Sequence, residues 1–235
     1  MSAIEILAIE GVAEIEPGDD LATAIVGAAI SSGTPIAAGD CIVVTQKIVS
    51  KSEGRLVAID DEPEAKARLV ESETVRTLRR RGEMVIGETR HGFVCANGGV
   101  DLSNVPAGTA ALLPIDSDRS ARRMRDAIGA RHGLDVAIIV SDTFGRPWRR
   151  GLTDVAIGVA GIAAIVDLRS TPDAHGRELV VTEIAVADEI AAAAELVMGK
   201  VSGIPAAIVR GLEASWLRES SVDELVRPPA EDLFR

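Results

Sequence analysis

Four oxygen-bearing residues fall in two short stretches of the sequence. Asp101 and Asn104 lie in GGVDLSN, and Asp142 and Thr143 follow the apolar run VAIIV directly, at the head of SDTFGRPWRRGLTD. Carboxylate and hydroxyl oxygens are what hard cations such as Mg²⁺ and Mn²⁺ bind, usually leaving further positions to phosphates. Cationic partners for such phosphates are present. Lys47, Lys51 and Arg55 recur every four residues, and Arg146, Arg149 and Arg150 are interleaved with Phe144, Pro147 and Trp148. Lysine brings a point charge to an anion and arginine a bidentate fork. Each feature also has an ordinary reading: GGVDLSN as a turn closed by Asx hydrogen bonds, Asp142 as a cap, the basic residues as a solvated face. His175 and Arg177, in PDAHGRE, either touch a substrate or satisfy their own turn.

Other chemistries lack their signatures. The sequence has no GxxxxGK[ST], no GxGxxG after a strand and no HExxH. Its three histidines, His91, His132 and His175, are scattered, which disfavours a His-based zinc site and a His-dependent triad. A formal net charge of -11 argues against general nucleic-acid binding, which needs excess Lys and Arg to displace counterions. Aromatic residues make up 2% and Tyr is absent, so base-stacking platforms are missing too.

These residues must be positioned by a fold, and 235 residues with 47% hydrophobic content can supply a core. Cys41 and Cys95 sit in apolar surroundings and read as reduced, structural thiols. The N-terminal stretch MSAIEILAIEGVAEIEP lacks a cationic region ahead of an apolar one, so it reads as no signal peptide and the expected compartment is the cytoplasm. The longest apolar run, Val155 to Val166, has twelve residues, too few to cross a bilayer, and reads as core.

Periodicity predicts a strand at Ile4 to Ile9, a helix from about Asp20 to Ile30 and a strand at Cys41 to Thr45. A long helix is expected over Pro63 to Arg80, with proline in its opening turn and a basic last turn suited to the dipole. A hairpin should turn near Arg90, His91 and Gly92, followed by a strand at AALLPI. SDRSARRMRDAIGARHG reads as a capped helix stopped by glycine, feeding a strand at Val136 to Val140 whose end precedes the arginine-rich loop. ELVVTEIAV reads as a strand, ADEIAAAAELVMG as a helix ending at Gly199 with Ile190, Ala194 and Val197 as its core stripe, and IPAAIVRG as a last strand. No repeat or linker divides the chain. The expected fold is a mixed α/β (α+β) unit spanning residues 1–235, with room for a bilobed arrangement.

Four separated stretches, VVTQKIVSKSEGR, GGVDLSN, SDTFGRPWRRGLTDVAIGVAGI and ELVVTEIAVADEIAAAAELVMGK, together resemble the coenzyme F420-0:L-glutamate ligase family, in the family's order and nearly end to end. The resemblance is to the stand-alone form, without a fused C-terminal flavin-type domain. It implies an intertwined homodimer, GTP as phosphoryl donor, two divalent cations of Mg²⁺ or Mn²⁺ type, and K⁺. The implied activity is addition of L-glutamate through γ-linked amide bonds to the deazaflavin precursor F420-0, by way of an acyl phosphate. By position in the motifs, Asp101, Asp142 and Thr143 would hold metal. Gln46, Lys51 and Asn104 would contact GTP, as would Val12, Ala13, Glu14 and Ile15 of the early loop and Met198, Gly199 and Lys200 after the Ala-rich helix. Gln46 stands where some members carry Ser. Asp142 and Arg149 are the expected catalytic pair, the arginines facing a phosphodiester or an acidic substrate. Rival readings are a metal-dependent nucleotide hydrolase on the same Asp set and a non-catalytic nucleotide-binding regulator. The implied partners are small molecules and a second copy of the chain, with neither nucleic acid nor membrane.

Overall fold

The computed structural model describes residues 3–60 and 62–233. In chain order the elements are β1 (Glu5–Ala8), α1 (Leu21–Ser31), β2 (Cys41–Thr45), α2 (Gln46–Ser52), β3 (Leu56–Ala58), α3 (Pro63–Glu73), β4 (Thr74–Arg81), β5 (Met84–Thr89), β6 (Val94–Ala96), β7 (Thr109–Ala111), α4 (Ser117–His132), β8 (Ala137–Arg146), β9 (Arg149–Ala160), β10 (Val166–Asp167), β11 (Glu183–Ile184), α5 (Val186–Met198) and β12 (Ala206–Arg210). The mixed α/β class expected from the pattern is the class observed. Among the described residues no helix is long and apolar enough to cross a membrane.

The main sheet has the order β1-β12-β2-β8-β9, with β2 and β8 parallel and the other neighbours antiparallel. Residues of β2 alternate between its two faces, as a period of two requires. Ile42 and Val44 join α1 and α4 (Ile25, Met124, Ile128) on one side, while Cys41 and Val43 join α5 (Ile190, Ala194, Met198) on the other. Helices on both faces explain why CIVVT and AIIV read as unbroken apolar runs. Local chemistry fixes the helix ends: Asp20 accepts from the Thr23 amide at 3.2 Å and Asp116 from that of Arg119 at 2.8 Å. Gly133, at φ 67°, stops α4 in the left-handed conformation. A β4-β5-β6 meander and a β3-β7 pair adjoin a smaller cluster of Val70, Val85, Val100, Ala110 and Leu112.

Three expectations need correcting. The helix predicted to Arg80 ends at Glu73, and Thr74–Arg81 is strand β4, paired antiparallel with β5. β-Branched Thr74, Val75 and Thr77 favour the extended chain, and pairing with β5 outweighs the helical rhythm. The arginines that would have closed a helix instead cover an exposed sheet edge, where charge discourages unwanted pairing. The strand placed at Val136 to Val140 runs on to Arg146 and pairs with β9, so Arg146, Arg149 and Arg150 ride the tip of a β-hairpin rather than a strand-end loop. That ladder makes Pro147–Trp148 the turn. Finally, of ELVVTEIAV only Glu183–Ile184 is strand, and Val180 and Val181 are 76% and 83% exposed. With no neighbour to bury both faces, β-propensity alone did not make a strand there.

Candidate functional site

Strand directions bring the site together. β2 and β8 run parallel with Thr45 opposite Ser141, so α2 opens and Asp142 and Thr143 follow at the same sheet edge. Antiparallel β12 starts there, Ala206 opposite Val44, which delivers residues 199–205. β1, antiparallel to β12, ends at that edge with Ala8 opposite Ala207 and releases the loop containing Val12 to Ile15. Four segments distant in sequence thereby line one cleft of about 290 Å³, into which Asp101 and Asn104 reach from the GGVDLSN turn.

Asp101 is held by a backbone bridge to Ala111 and by its Oδ1, which accepts from the Ser103 amide at 2.7 Å. Its Oδ2 accepts from Lys47 Nζ at 2.6 Å, and the same ammonium donates to the Ser103 carbonyl and hydroxyl at 2.7 and 2.9 Å. Burial works to raise the Asp101 carboxyl, but the Lys47 and Ser103 hydrogen bonds outweigh it and hold it below its ordinary value. Asn104 adopts a left-handed φ of 52° and donates to the Lys200 carbonyl at 3.3 Å, tying the turn to the segment before β12.

Asp142 has the opposite balance. Desolvation pushes its carboxyl up to about 7, helped by the charges of Asp101 and Asp154 and opposed by the Thr143 amide, at 2.8 Å, and by Lys200. Carboxylates that repel one another in a half-buried cleft are stabilised by a bound cation, and their oxygens with the Thr143 hydroxyl are hard donors; the residues fit a divalent cation. Among the described residues no group of three or more His, Cys, Asp or Glu forms a cage.

Sequence reasoning missed Asp154. It is 2% exposed, faces Thr143 across the β8-β9 ladder, and accepts from the Thr143 hydroxyl and, at 3.0 Å, from Ser141. Lys200 in turn donates to the Thr143 hydroxyl. The available signal was RPWRRG read as a hairpin turn: folding the chain back there sets Thr143 against Asp154. Glu195 lines the cleft as well, its carboxyl raised first by burial.

Of the nucleotide residues expected, Val12, Ala13, Glu14, Ile15, Gln46, Lys51, Asn104, Gly199 and Lys200 line the cleft. Lys51 and Glu14 form an ion pair across it. The Gln46 amide nitrogen is engaged with Ser50 at 2.6 Å and with the Leu112 carbonyl at 3.0 Å. Met198 is fully buried among α5 neighbours and presents no side chain to the cleft. Arg149 is exposed at the hairpin tip, outside the lining, and His175 is exposed in a turn closed by Asp173.

Residues 11–211 match the F420-0:gamma-glutamyl ligase family. A protein of Methanothermobacter thermautotrophicus named coenzyme F420:L-glutamate ligase is 41% identical to this chain, covering 99% of each. Proteins of the same name from Methanopyrus kandleri (39%, covering 94% of each) and Archaeoglobus fulgidus (38%, covering 99% of this chain and 96% of that one) are similar as well. With a match over most of its length and relatives aligned nearly end to end, the chain belongs to the F420-0:gamma-glutamyl ligase family.

Proposed function

We propose that this protein joins L-glutamate to F420-0 through γ-linked amide bonds, using GTP. The observation that carries the reading is the meeting of Asp101, Asp142 and Thr143 with Lys47, Lys51, Lys200 and the Val12 to Ile15 loop in one cleft of a chain of this family.

Making an amide from a carboxylate in water requires a better leaving group than hydroxide. The acceptor carboxylate attacks the γ-phosphorus of GTP, GDP leaves, and an acyl phosphate results. The glutamate amine then attacks the acyl carbon, the C–O bond to phosphate breaks, and the released phosphate carries away the amine proton. Such transfer asks a protein mainly to position reactants and to neutralise oxygen charge, so no nucleophilic side chain is needed. Asp101, Asp142 and Thr143 would hold two Mg²⁺ or Mn²⁺ ions, with K⁺ as a further ion; bound divalent cations neutralise phosphate oxygens and align the nucleotide. Lys51 and Lys200 add fixed positive charge at the cleft wall. The ion pair between Lys51 and Glu14 would open when a phosphate competes for the ammonium. Asp154 holds the Thr143 hydroxyl in place. Arg149, with Arg146 and Arg150, is assigned to an acidic substrate, reaching it from the hairpin. The reading includes one domain over residues 1–235, a homodimer, and a cytoplasmic location alongside small-molecule substrates.

The test is incubation of purified protein with GTP, Mg²⁺ or Mn²⁺, K⁺, L-glutamate and F420-0, with mass spectrometry of the deazaflavin product. Products heavier by whole glutamyl units support the ligase. Phosphate release from GTP without any acceptor, and no mass shift, would favour a nucleotide hydrolase; GTP-dependent thermal stabilisation without turnover would favour a regulator.

A further inference from the structure

A second recess, of about 300 Å³, has no part in the chemistry above; its walls include Phe144 and Val155, each next in sequence to a residue of the cleft, Thr143 and Asp154. That volume lies at the lower end of small-molecule sites. The β8-β9 register pairs Asp142 with Val155 and Phe144 with Thr153, without a shift between Ser141 and Gly145. Asp142 and Phe144 therefore point to the same face, about 7 Å apart along the strand. Asp142 borders the cleft and Phe144 the recess, so the two spaces succeed one another along β8.

The recess has a specific chemistry. Two of the chain's three phenylalanines meet in its wall: the rings of Phe93 and Phe144 lie 6.3 Å apart at 67°, an edge-to-face corner. Phe93 is 8% exposed and stacked on its other side by His91, so a flat ring entering the recess would meet mainly the more open Phe144, with Phe93 behind it. Asp188, in the first turn of α5, also lines it. Asp188 Oδ1 accepts from the Ala156 amide at 2.9 Å, and among the described residues no hydrogen bond reaches its second oxygen. Burial raises its carboxyl. Arg227 brings an exposed guanidinium to the rim. An acceptor and a donor beside an aromatic corner match a heteroaromatic ring whose edge carries an imide, an N–H flanked by carbonyls.

We propose that this recess seats the flat, imide-bearing ring of the deazaflavin acceptor, from which the phosphodiester side chain runs along the β8 face to present its carboxylate at Asp142. The assignment rests on the ligase reading above. Asp188 accepts from the imide N–H, and Arg227 donates to a ring carbonyl. Phe144 and Val155 flank the ring, and Phe93 backs Phe144 from the core.

Two variants and one fragment test it. Asp188→Asn keeps an oxygen for the Ala156 amide but turns an N–H₂ toward the imide, and Val226→Trp fills the recess from its partly exposed rim. Each should raise the KM for F420-0 about tenfold or more, leaving kcat and the KM values for GTP and glutamate near wild type. A fluorescent 5-deazaflavin lacking phosphodiester and carboxylate should bind the wild-type protein without GTP, and both variants should weaken it. An F420-0 KM within about twofold of wild type in both variants overturns the assignment. So does fragment binding that neither variant changes, or no fragment binding at all. Failure of the ligase reading is separately visible: the wild type would then add no glutamate, while the fragment titration still reports whether the recess takes the ring.

Discussion

At the residue scale, the site opposes two carboxylates of unlike environment. Lys47 neutralises Asp101, whereas Asp142 is burdened by burial and by neighbouring acids. Replacing Asp142 with Asn should abolish ligation while leaving the melting temperature unchanged or raised; retention of near wild-type turnover with GTP and Mn²⁺ would remove the metal role. Asp154 acts through its neighbours. Asp154→Ala strands the hydroxyls of Ser141 and Thr143, which should cost about 1–3 kcal/mol in urea denaturation. It should also weaken activation by Mn²⁺ about 10–100-fold as Thr143 loses its orientation, whereas Asp154→Asn, keeping one oxygen acceptor, should restore much of the stability. Asp101, Asn104, Asp142 and Thr143 stood out in the sequence as oxygen donors beside glycines or at the end of an apolar run, but turn and cap roles stayed open for them until the four family motifs were read together. Asp154 did not stand out, since its meaning depends on a partner eleven residues away across a turn.

The β8-β9 hairpin dominates at the element scale. It turns a predicted strand end into an arm that carries three arginines beyond the cleft lining. Arg149→Ala should raise the apparent KM for an acidic substrate without lowering the melting temperature, and unchanged kinetics for both F420-0 and glutamate would exclude it from substrate binding. Where β9 crosses the start of α4, Gly158 leaves no room for a side chain: a Cβ there would lie 2.5 Å from the Ser117 backbone. Gly158→Ala should therefore destabilise by about 1–3 kcal/mol, read as a lower urea midpoint at unchanged slope. The helices α1, α4 and α5 and strands β2 and β12 were legible because capping chemistry and two-sided burial leave clear local marks. The helix drawn on through Thr74 to Arg80 and the strand drawn through Val180–Val181 failed for a common reason. Both depended on whether a neighbour was present to pair, which a local pattern does not encode.

For the whole molecule, the thiols and the sheet order carry consequences. Burial pushes the thiols of Cys41 and Cys95 up, the latter to about 12. Native protein at pH 8 should resist iodoacetamide and react on denaturation. The sign of the linked stability follows: above about pH 8.5 the unfolded chain releases thiol protons that the folded chain retains, so the fold weakens as pH rises. A Cys41→Ala variant should lose less stability between about pH 8 and 10 than wild type, measured by urea midpoints. The sheet order has a temporal counterpart. β12 lies between β1 and β2, so among the described residues β1, the first strand made, has no sheet partner until β12, the last, emerges. At synthesis rates of about 5–20 residues per second, β1 waits on the order of 10–40 s with its pairing edge open. Because β12 also delivers the wall that carries Lys200, a nascent chain has no working cleft until its final strand inserts, and activity arrives in one step with closure of the sheet.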